Sequence, residues 1–397
     1  MATADWVILG LVVIFAVGGL RQGFVSSLLS VLGFAGGALL GIRIGPPIGT
    51  LVHGADAQAG VAFVVVVACA AVGFTALAML GRALRARMAD GPSRAIDSGL
   101  GGITSGVAVV FVAWLVAAPL AQSSYPNLAG GVRDSQILRG VDRQLPGSAS
   151  KIYSSMSRLL DRSEFPQVFN GLTPTRVRNV PRPDPSLVND PDVAKARASI
   201  VKVTGAAPSC SRRLEGSGFV FAPHRVVTNA HVVAGVSVVA IRPDGSAATV
   251  LDATVVRYDP ERDVAVLDVP GLSAPPLDFA AAPAGSGADA IVAGYPGDGA
   301  FWVGAARIRG VETIKGPDIY ADQTVHREVY AVRADIRNGN SGGPLLAPDG
   351  KVYGLIFAAA ADRPDTGFAL TYNEIKTDLS GVENVSGAVD TGACVSE

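Results

Sequence analysis

The sequence carries almost no net charge. With 33 basic against 34 acidic residues in 397, it offers no broad positive field for phosphates, so no nucleic-acid partner is expected. Its longest apolar runs hold no ionisable residue near their middles, and a proton relay or ion path normally needs one. A transporter is therefore disfavoured. Histidine is scarce too: there are four in the chain, so few residues could act as a general base near neutral pH. Of the three cysteines, Cys69 falls inside an apolar run, which leaves only Cys210 and Cys394 as a possible pair. No metal and no cofactor is expected.

Apolar residues are abundant but unevenly spread. Mean hydropathy is +0.37, yet the long uncharged runs are concentrated in the first 121 residues. Four of them, near residues 5–20, 24–42, 59–80 and 100–121, approach the roughly 20 helical residues that cross about 30 Å of hydrocarbon. The first is short enough for a signal peptide. It begins Met1-Ala2-Thr3-Ala4-Asp5, however, without a basic start or a small-residue cleavage site, and a retained helix is the better reading. Arg82, Arg85, Arg87 and Arg94 follow the third run, so that loop and the turn at Arg21 are expected in the cytoplasm. Both chain ends then lie outside it. Gly33, Gly37 and Gly41 share one face of the second span, where a neighbouring backbone can approach closely; the face suits packing within the bundle or an interface with another chain.

Residues 122–194 are expected as a linker. Ile137, Leu138, Val141, Leu145, Ile152, Met156 and Leu159 are spaced for short amphipathic helices, interrupted at Pro146-Gly147. Pro174, Pro181, Pro183, Pro185 and Pro191 predict an extended, poorly packed tether, a spacer or a self-cleavage site. From 195 to 397, short Val-, Ile- and Ala-rich runs alternate with Gly, Pro and Asp turns, for example Arg225 to Thr228 and Val264 to Val269. Such runs predict an all-β barrel or sandwich.

Within this half stands Gly339-Asn340-Ser341-Gly342-Gly343-Pro344. A serine attacks a carbonyl well only if its turn aims two N–H groups at the developing oxyanion, its own and that of Gly339. Upstream, Val226-Val227-Thr228-Asn229-Ala230-His231 reads as an apolar strand ending in a small-residue turn that presents one histidine. His53 lies in a membrane loop, His224 sits beside Pro223 and His326 lies among polar residues, so His231 is the candidate general base. A carboxylate must orient it; Asp244, Asp252, Asp259, Asp263 and Asp268 intervene, and Asp263, opening Asp263-Val264-Ala265-Val266-Leu267, is the best placed.

The order His231, Asp263, Ser341 is that of chymotrypsin. With Gly216-Ser217-Gly218-Phe219 upstream, this half resembles the trypsin-like proteases, above all their bacterial HtrA-like branch, which implies a chymotrypsin-like double β-barrel. Asn340 replaces the aspartate that pairs with a newly cut N-terminus in digestive proteases, so that activation is not expected. With few residues following Ser341, the appended peptide-binding domain of many HtrA-like enzymes is not expected. Asp335, six residues before Ser341, stands where proteases with a basic preference keep the acid of their specificity pocket, or is a surface aspartate; Ala358, Ala359 and Gly367 are expected to line the groove.

The first 125 residues resemble the CvpA (colicin V production) family, through Asp5-Trp6, Gly18-Gly19-Leu20-Arg21 and Gly23-Phe24. Joined to the protease half, they resemble the MarP-type membrane serine proteases of mycobacteria. That resemblance implies an inner-membrane enzyme cleaving envelope proteins, cell-wall hydrolases among them, in acid or oxidative stress. A bridge between Cys210 and Cys394 is expected in an oxidising space, against two free thiols. An inactive protease-like scaffold or a membrane export component is the alternative to an enzyme.

Overall fold

The computed structural model describes residues 2–49, 52, 55–87, 92–121, 126–144, 175–207, 212–243, 245 and 248–395. They form two compact units, residues 1–117 with 134–145, and 118–133 with 146–397.

In the first unit the apolar runs become four long helices, α1 (Thr3–Gln22), α2 (Phe24–Gly49), α3 (Ala55–Arg85) and α4 (Pro92–Leu120). Each contains a stretch of at least 20 residues apolar enough to span a bilayer. Side chains that a soluble core would bury point outward, among them Trp6, Val13, Ile14, Leu39, Val72 and Ile103. Such a surface suits lipid rather than water.

The glycine face of α2 is used inside the bundle. A Cβ on Gly33 would collide with the Gly73 carbonyl, one on Gly37 with the Cys69 carbonyl, and one on Gly41 would lie 2.6 Å from Val66 Cα. Cys69 is a free thiol at this α2–α3 seam.

At one end of the bundle Arg85 bonds the Arg21 carbonyl and the Ser98 hydroxyl (2.7 Å) and pairs with Asp97 at 3.1 Å. Asp97 also accepts from Val25 N–H, tying the start of α2. Ser135 opens α6 (Gln136–Gln144), one of the expected amphipathic helices; a further short helix, α5 (Pro126–Arg133), was not expected. The buried Asp5 carboxylate accepts from the Ser135 hydroxyl (2.6 Å) and from Gln136 and Ile137 N–H, so a span-one carboxylate satisfies the free donors of another helix start. The remainder of the expected amphipathic stretch lies outside the described residues.

In the second unit, β1 (Ile200–Ala207), β2 (Arg212–Ala222), β3 (Arg225–Thr228), β4 (Val238–Arg242), β5 (Leu251–Asp259) and β6 (Val264–Asp268) close in the order β1-β2-β3-β6-β5-β4. A second barrel closes as β10-β11-β12-β9-β8-β7, from β7 (Asp289–Gly294), β8 (Trp302–Pro317), β9 (Thr324–Arg333), β10 (Pro344–Leu346), β11 (Val352–Ala359) and β12 (Thr366–Thr371). Alternation along β1 explains the layering: Val201 and Val203 fill the first barrel, whereas Ile200 packs with Phe219, Ile291, Leu355 and Phe357 between the barrels. The expected double barrel is what the chain forms.

The proline-rich stretch corrects one expectation. From Thr175 to Asp184 it is extended but fastened, and a short 3-10 turn follows at Pro185–Asn189. Thr175 donates twice to Asp362, at 2.9 Å from N and 2.5 Å from Oγ1, and Arg363 returns a bond to its carbonyl. The carbonyls of Arg178 and Val180 accept from Arg309 and Arg333, which both pair with Asp365. Val193 and Ala196 of α7 (Pro191–Ala196) enter the core, and α8 (Tyr372–Leu379) closes the unit. Backbone carbonyls and the buried Arg309 thus add to the packing of Val177, Val180 and Leu187 in holding the stretch.

Candidate active site

Strand β3 is buried throughout and delivers its last residues into a tight turn, Asn229 to Gly235. Asn229 Nδ2 donates to the Asp263 carbonyl at 2.8 Å, joining that turn to the start of β6. Asp263 has φ 65°, a left-handed conformation that Asp and Asn enter more readily than other side-chain-bearing residues. Its carboxylate, wholly buried, lies 2.8 Å (Oδ2) and 3.0 Å (Oδ1) from His231 Nδ1, and Oδ1 also accepts from His231 N–H at 2.9 Å. One carboxylate thus holds both the ring and the backbone of the histidine. With Nδ1–H donated to Asp263, Nε2 is left as the basic nitrogen. Asp259, the competing acid, instead caps its own turn by accepting from Glu261 N–H, Arg262 N–H and the Arg262 guanidinium.

The serine loop is fixed from several sides. Gly339 has φ 87° and Gly342 φ 83°; a Cβ at Gly342 would collide with the Ser217 carbonyl and the Thr228 hydroxyl, which is why glycine stands there. Gly342 N–H donates to the Ile356 carbonyl on β11 at 2.8 Å. Ser217 binds the loop to the first barrel: its N–H donates to the Ser341 carbonyl (2.8 Å), and its hydroxyl donates to the Gly339 carbonyl (2.6 Å) while accepting from Tyr295 N–H (2.9 Å). Asn340, in place of the digestive aspartate, accepts from Arg337 N–H through Oδ1 at 2.9 Å and so braces the loop from within. A Cβ at Gly216 would touch both Val232, next to His231, and the Ser341 carbonyl. The histidine and serine turns are therefore neighbours, as their order in the chain suggested.

Of the two readings of Asp335, the geometry agrees with the surface aspartate. Its carboxylate is largely exposed and paired with Arg337 at 2.5 Å, and Arg337 in turn lies 4.9 Å over the Trp302 ring. It is Ile336 whose side chain lies on Gly367, where a Cβ would collide with it. Gly367 pairs with Ala359, and Ala358 with Phe368, so these groove candidates do share the β11–β12 edge. Cys210 lies outside the described residues. Its expected partner, Cys394, rests on the histidine turn: a Cβ at Gly235 would come within 2.7 Å of Cys394 N.

Sequence reasoning missed Ser217 as a brace, Asn229 and Arg327. Arg327 is buried, donates to the Glu261 and Pro317 carbonyls and lies 6.0 Å from the Phe357 ring centre. Burial pulls its guanidinium below the ordinary arginine range, and the negative charge of Asp263 opposes that pull.

The profile of the trypsin-like peptidase domain matches residues 216–355, and that of the colicin V production protein matches residues 4–146. Fold and matches together define a serine protease of the trypsin-like type joined to membrane-spanning helices. Over the whole of both chains the sequence is 42% identical to the serine protease Rv3671c of Mycobacterium tuberculosis, and the chain belongs to that protein's family. The crystal structure of the Rv3671c protease in its active form, 50% identical, covers 56% of this chain and 97% of its own at a TM-score of 0.54. A probable periplasmic serine endoprotease, DegP-like, of Rickettsia conorii is 33% identical over 169 residues, 41% of this chain and 32% of that one.

Proposed function

We propose that the chain is an extracytoplasmic endopeptidase in which Ser341 attacks the scissile carbonyl, His231 Nε2 takes its proton and Asp263 holds the imidazole tautomer. The tetrahedral oxyanion is received by the N–H groups of Gly339 and Ser341. As it collapses, His231 returns the proton to the leaving amine, and water then hydrolyses the acyl-enzyme by the same route in reverse. The observation that carries this reading is the buried Asp263 carboxylate, bound to both Nδ1 and the backbone N–H of His231.

Ala358, Ala359 and Gly367 line the substrate groove in this reading, with the end of β11 beyond Ile356, past its pairing with β10, taking an extended peptide as an added strand. Residues 1–121 form the membrane domain, 122–194 the linker and 195–397 the protease, with the strap from Thr175 braced on it. The arginines near Arg21 and Arg85 meet at one end of the bundle, which supports a cytoplasmic placement of that end and an outer placement of the protease. There a Cys210–Cys394 bridge would hold the C-terminal segment on the histidine turn. Closing so long a loop is worth about 5 kcal/mol on the entropy model. The MarP-type build implies cleavage of envelope proteins, cell-wall hydrolases among them, during acid or oxidative stress.

The test is covalent labelling of the full-length chain by a fluorophosphonate. Label on the wild type and none on Ser341→Ala is expected; no label on a folded wild type would overturn the proposal.

A further inference from the structure

Between the two barrels lies a charge with no part in the chemistry above. Lys202 is on the outward row of β1 with Ile200, so it faces the second barrel, and it is 2% exposed. Its ammonium pairs with Asp298, the last residue of the short turn Pro296–Asp298 that follows β7. The turn is conformationally costly: Gly297 (φ 58°, ψ 42°) and Asp298 (φ 55°) are both left-handed, and only the first is a glycine. Lys202 lowers the Asp298 carboxyl below the usual aspartate range through their hydrogen bond, and Arg213 adds to the positive field there. A local strain of this kind persists when something outside the turn fixes it, and the buried ammonium is that contact.

What the turn does in this conformation is to aim Gly297 N–H at the Asn338 carbonyl, 2.8 Å away. In a planar trans peptide the carbonyl of one residue and the N–H of the next point in opposite directions. With the Asn338 carbonyl held by Gly297, the Gly339 N–H must point the other way. Were this peptide to rotate, its carbonyl would replace the N–H, and an oxyanion would meet a lone pair rather than a donor. Gly339 is packed on the same turn; a Cβ there would lie 2.5 Å from the Tyr295 carbonyl and 3.0 Å from Gly297 N.

We propose that Lys202 and Asp298 are positioning residues for the oxyanion hole: their ion pair holds the Pro296–Asp298 turn in the form from which Gly297 N–H sets the Asn338–Gly339 peptide. This rests on Ser341 being the nucleophile and Gly339 an oxyanion donor. The first barrel, which carries the general base, thereby also sets the donor geometry of the second. Neither residue touches substrate.

The experiment uses the full-length protein in detergent, a fluorogenic peptide chosen from a positional library, and the matching peptide aldehyde, whose hemiacetal oxygen occupies the oxyanion position. Asp298→Asn is compared with the double variant Lys202→Met/Asp298→Asn, which removes both charges of the pair, leaving only the part-exposed Glu215 that hydrogen-bonds Asp298, and keeps the test valid where the single variant folds poorly. Both are expected to lose at least about tenfold in kcat at nearly unchanged KM, within the roughly 10²–10³ that loss of one oxyanion donor costs. Aldehyde affinity should fall in parallel with kcat, while the unfolding midpoint of the double variant stays near that of the wild type. A double variant with wild-type kcat and aldehyde affinity overturns the positioning role. Fluorophosphonate labelling of the wild type separates the two ideas: label with unchanged variants rejects only this inference, whereas no label rejects the reading beneath it.

Discussion

The Ser217 hydroxyl donates to the Gly339 carbonyl at 2.6 Å, across 122 residues of sequence, while its own N–H holds the Ser341 carbonyl. A buried serine of the first barrel thus grips both ends of the loop that carries the nucleophile. Ser217→Ala removes the donor to Gly339 and leaves Tyr295 N–H without its acceptor. A buried polar group deprived of its partner costs about 1–3 kcal/mol. We expect a loss of that size in denaturant unfolding, together with a lower kcat.

Asp263→Asn should be nearly silent in stability and severe in rate. Asparagine accepts the left-handed backbone at φ 65° almost as readily as aspartate, so the turn survives. Its amide can present N–H to His231 Nδ1 and so select the wrong tautomer; the corresponding change in the serine-protease triad costs about 10⁴ in kcat. Matched unfolding curves with a rate loss of that order are the expected result, and a loss below about tenfold would contradict the role given to Asp263.

The helices and barrels were legible because their signals are local. An apolar run of 20 residues, or a four-residue strand such as Arg225–Thr228, declares itself within its own window. Asn229-Ala230-His231 and Gly339-Asn340-Ser341 were readable for the same reason. What could not be read were partnerships made only by folding: Lys202 with Asp298, Ser217 with Gly339, and Thr175 with Asp362, each about 100 to 200 residues apart. Nothing near Thr175 in sequence says that an extended strap will find a carboxylate. Asp335 was left open between pocket and surface for a different reason: counting back from Ser341 gives a position but not a side-chain direction, and the carboxylate pairs outward with Arg337 two residues on.

That outward direction makes a prediction for specificity. Because the Asp335 carboxylate is exposed and already paired with Arg337, Asp335→Ala should leave the relative cleavage of Arg and Lys peptides within about twofold of wild type, as a rim charge screened by solvent contributes little. Ile336, lying on Gly367, should matter more: Ile336→Ala opens space at that wall and is expected to shift preference toward larger apolar residues in a peptide library.

Asp378 gives a dependence on pH. Burial, with the negative charge of Asp259 adding to it, lifts its carboxyl to about 6, although Arg262 lies 3.8 Å away and acts in the opposite direction. A folded pKa above the unfolded one means that the folded state prefers the protonated form. The stability this contributes is fully present below about pH 4 and is lost as pH rises through about 6. Asp378→Asn, fixed in a neutral form, should therefore unfold at higher temperature than the wild type at pH 7.5, by at most about 3 kcal/mol at 1.36 kcal/mol per pKa unit. The advantage should shrink steadily toward pH 4. A gap independent of pH would show that Asp378 does not titrate in this window.

The last prediction concerns the membrane unit. A Cβ on Gly37 would collide with the Cys69 carbonyl and lie 2.9 Å from the Cα of Ala70, so α2 and α3 approach backbone to backbone there. In lipid there is little hydrophobic drive between helices, and such close packing supplies much of the attraction. Gly37→Leu must push the helices apart by more than a side chain can yield, because what it meets is backbone; overpacking of this kind costs roughly 1–3 kcal/mol or more. Cys69 is the built-in reporter, being a free thiol at the seam. Its reaction with a maleimide in detergent should quicken in Gly37→Leu. It should remain at the wild-type rate in Gly36→Leu, where a Cβ meets nothing within 4 Å. Equal rates in the two variants would mean that the glycine face of α2 is not what holds α3.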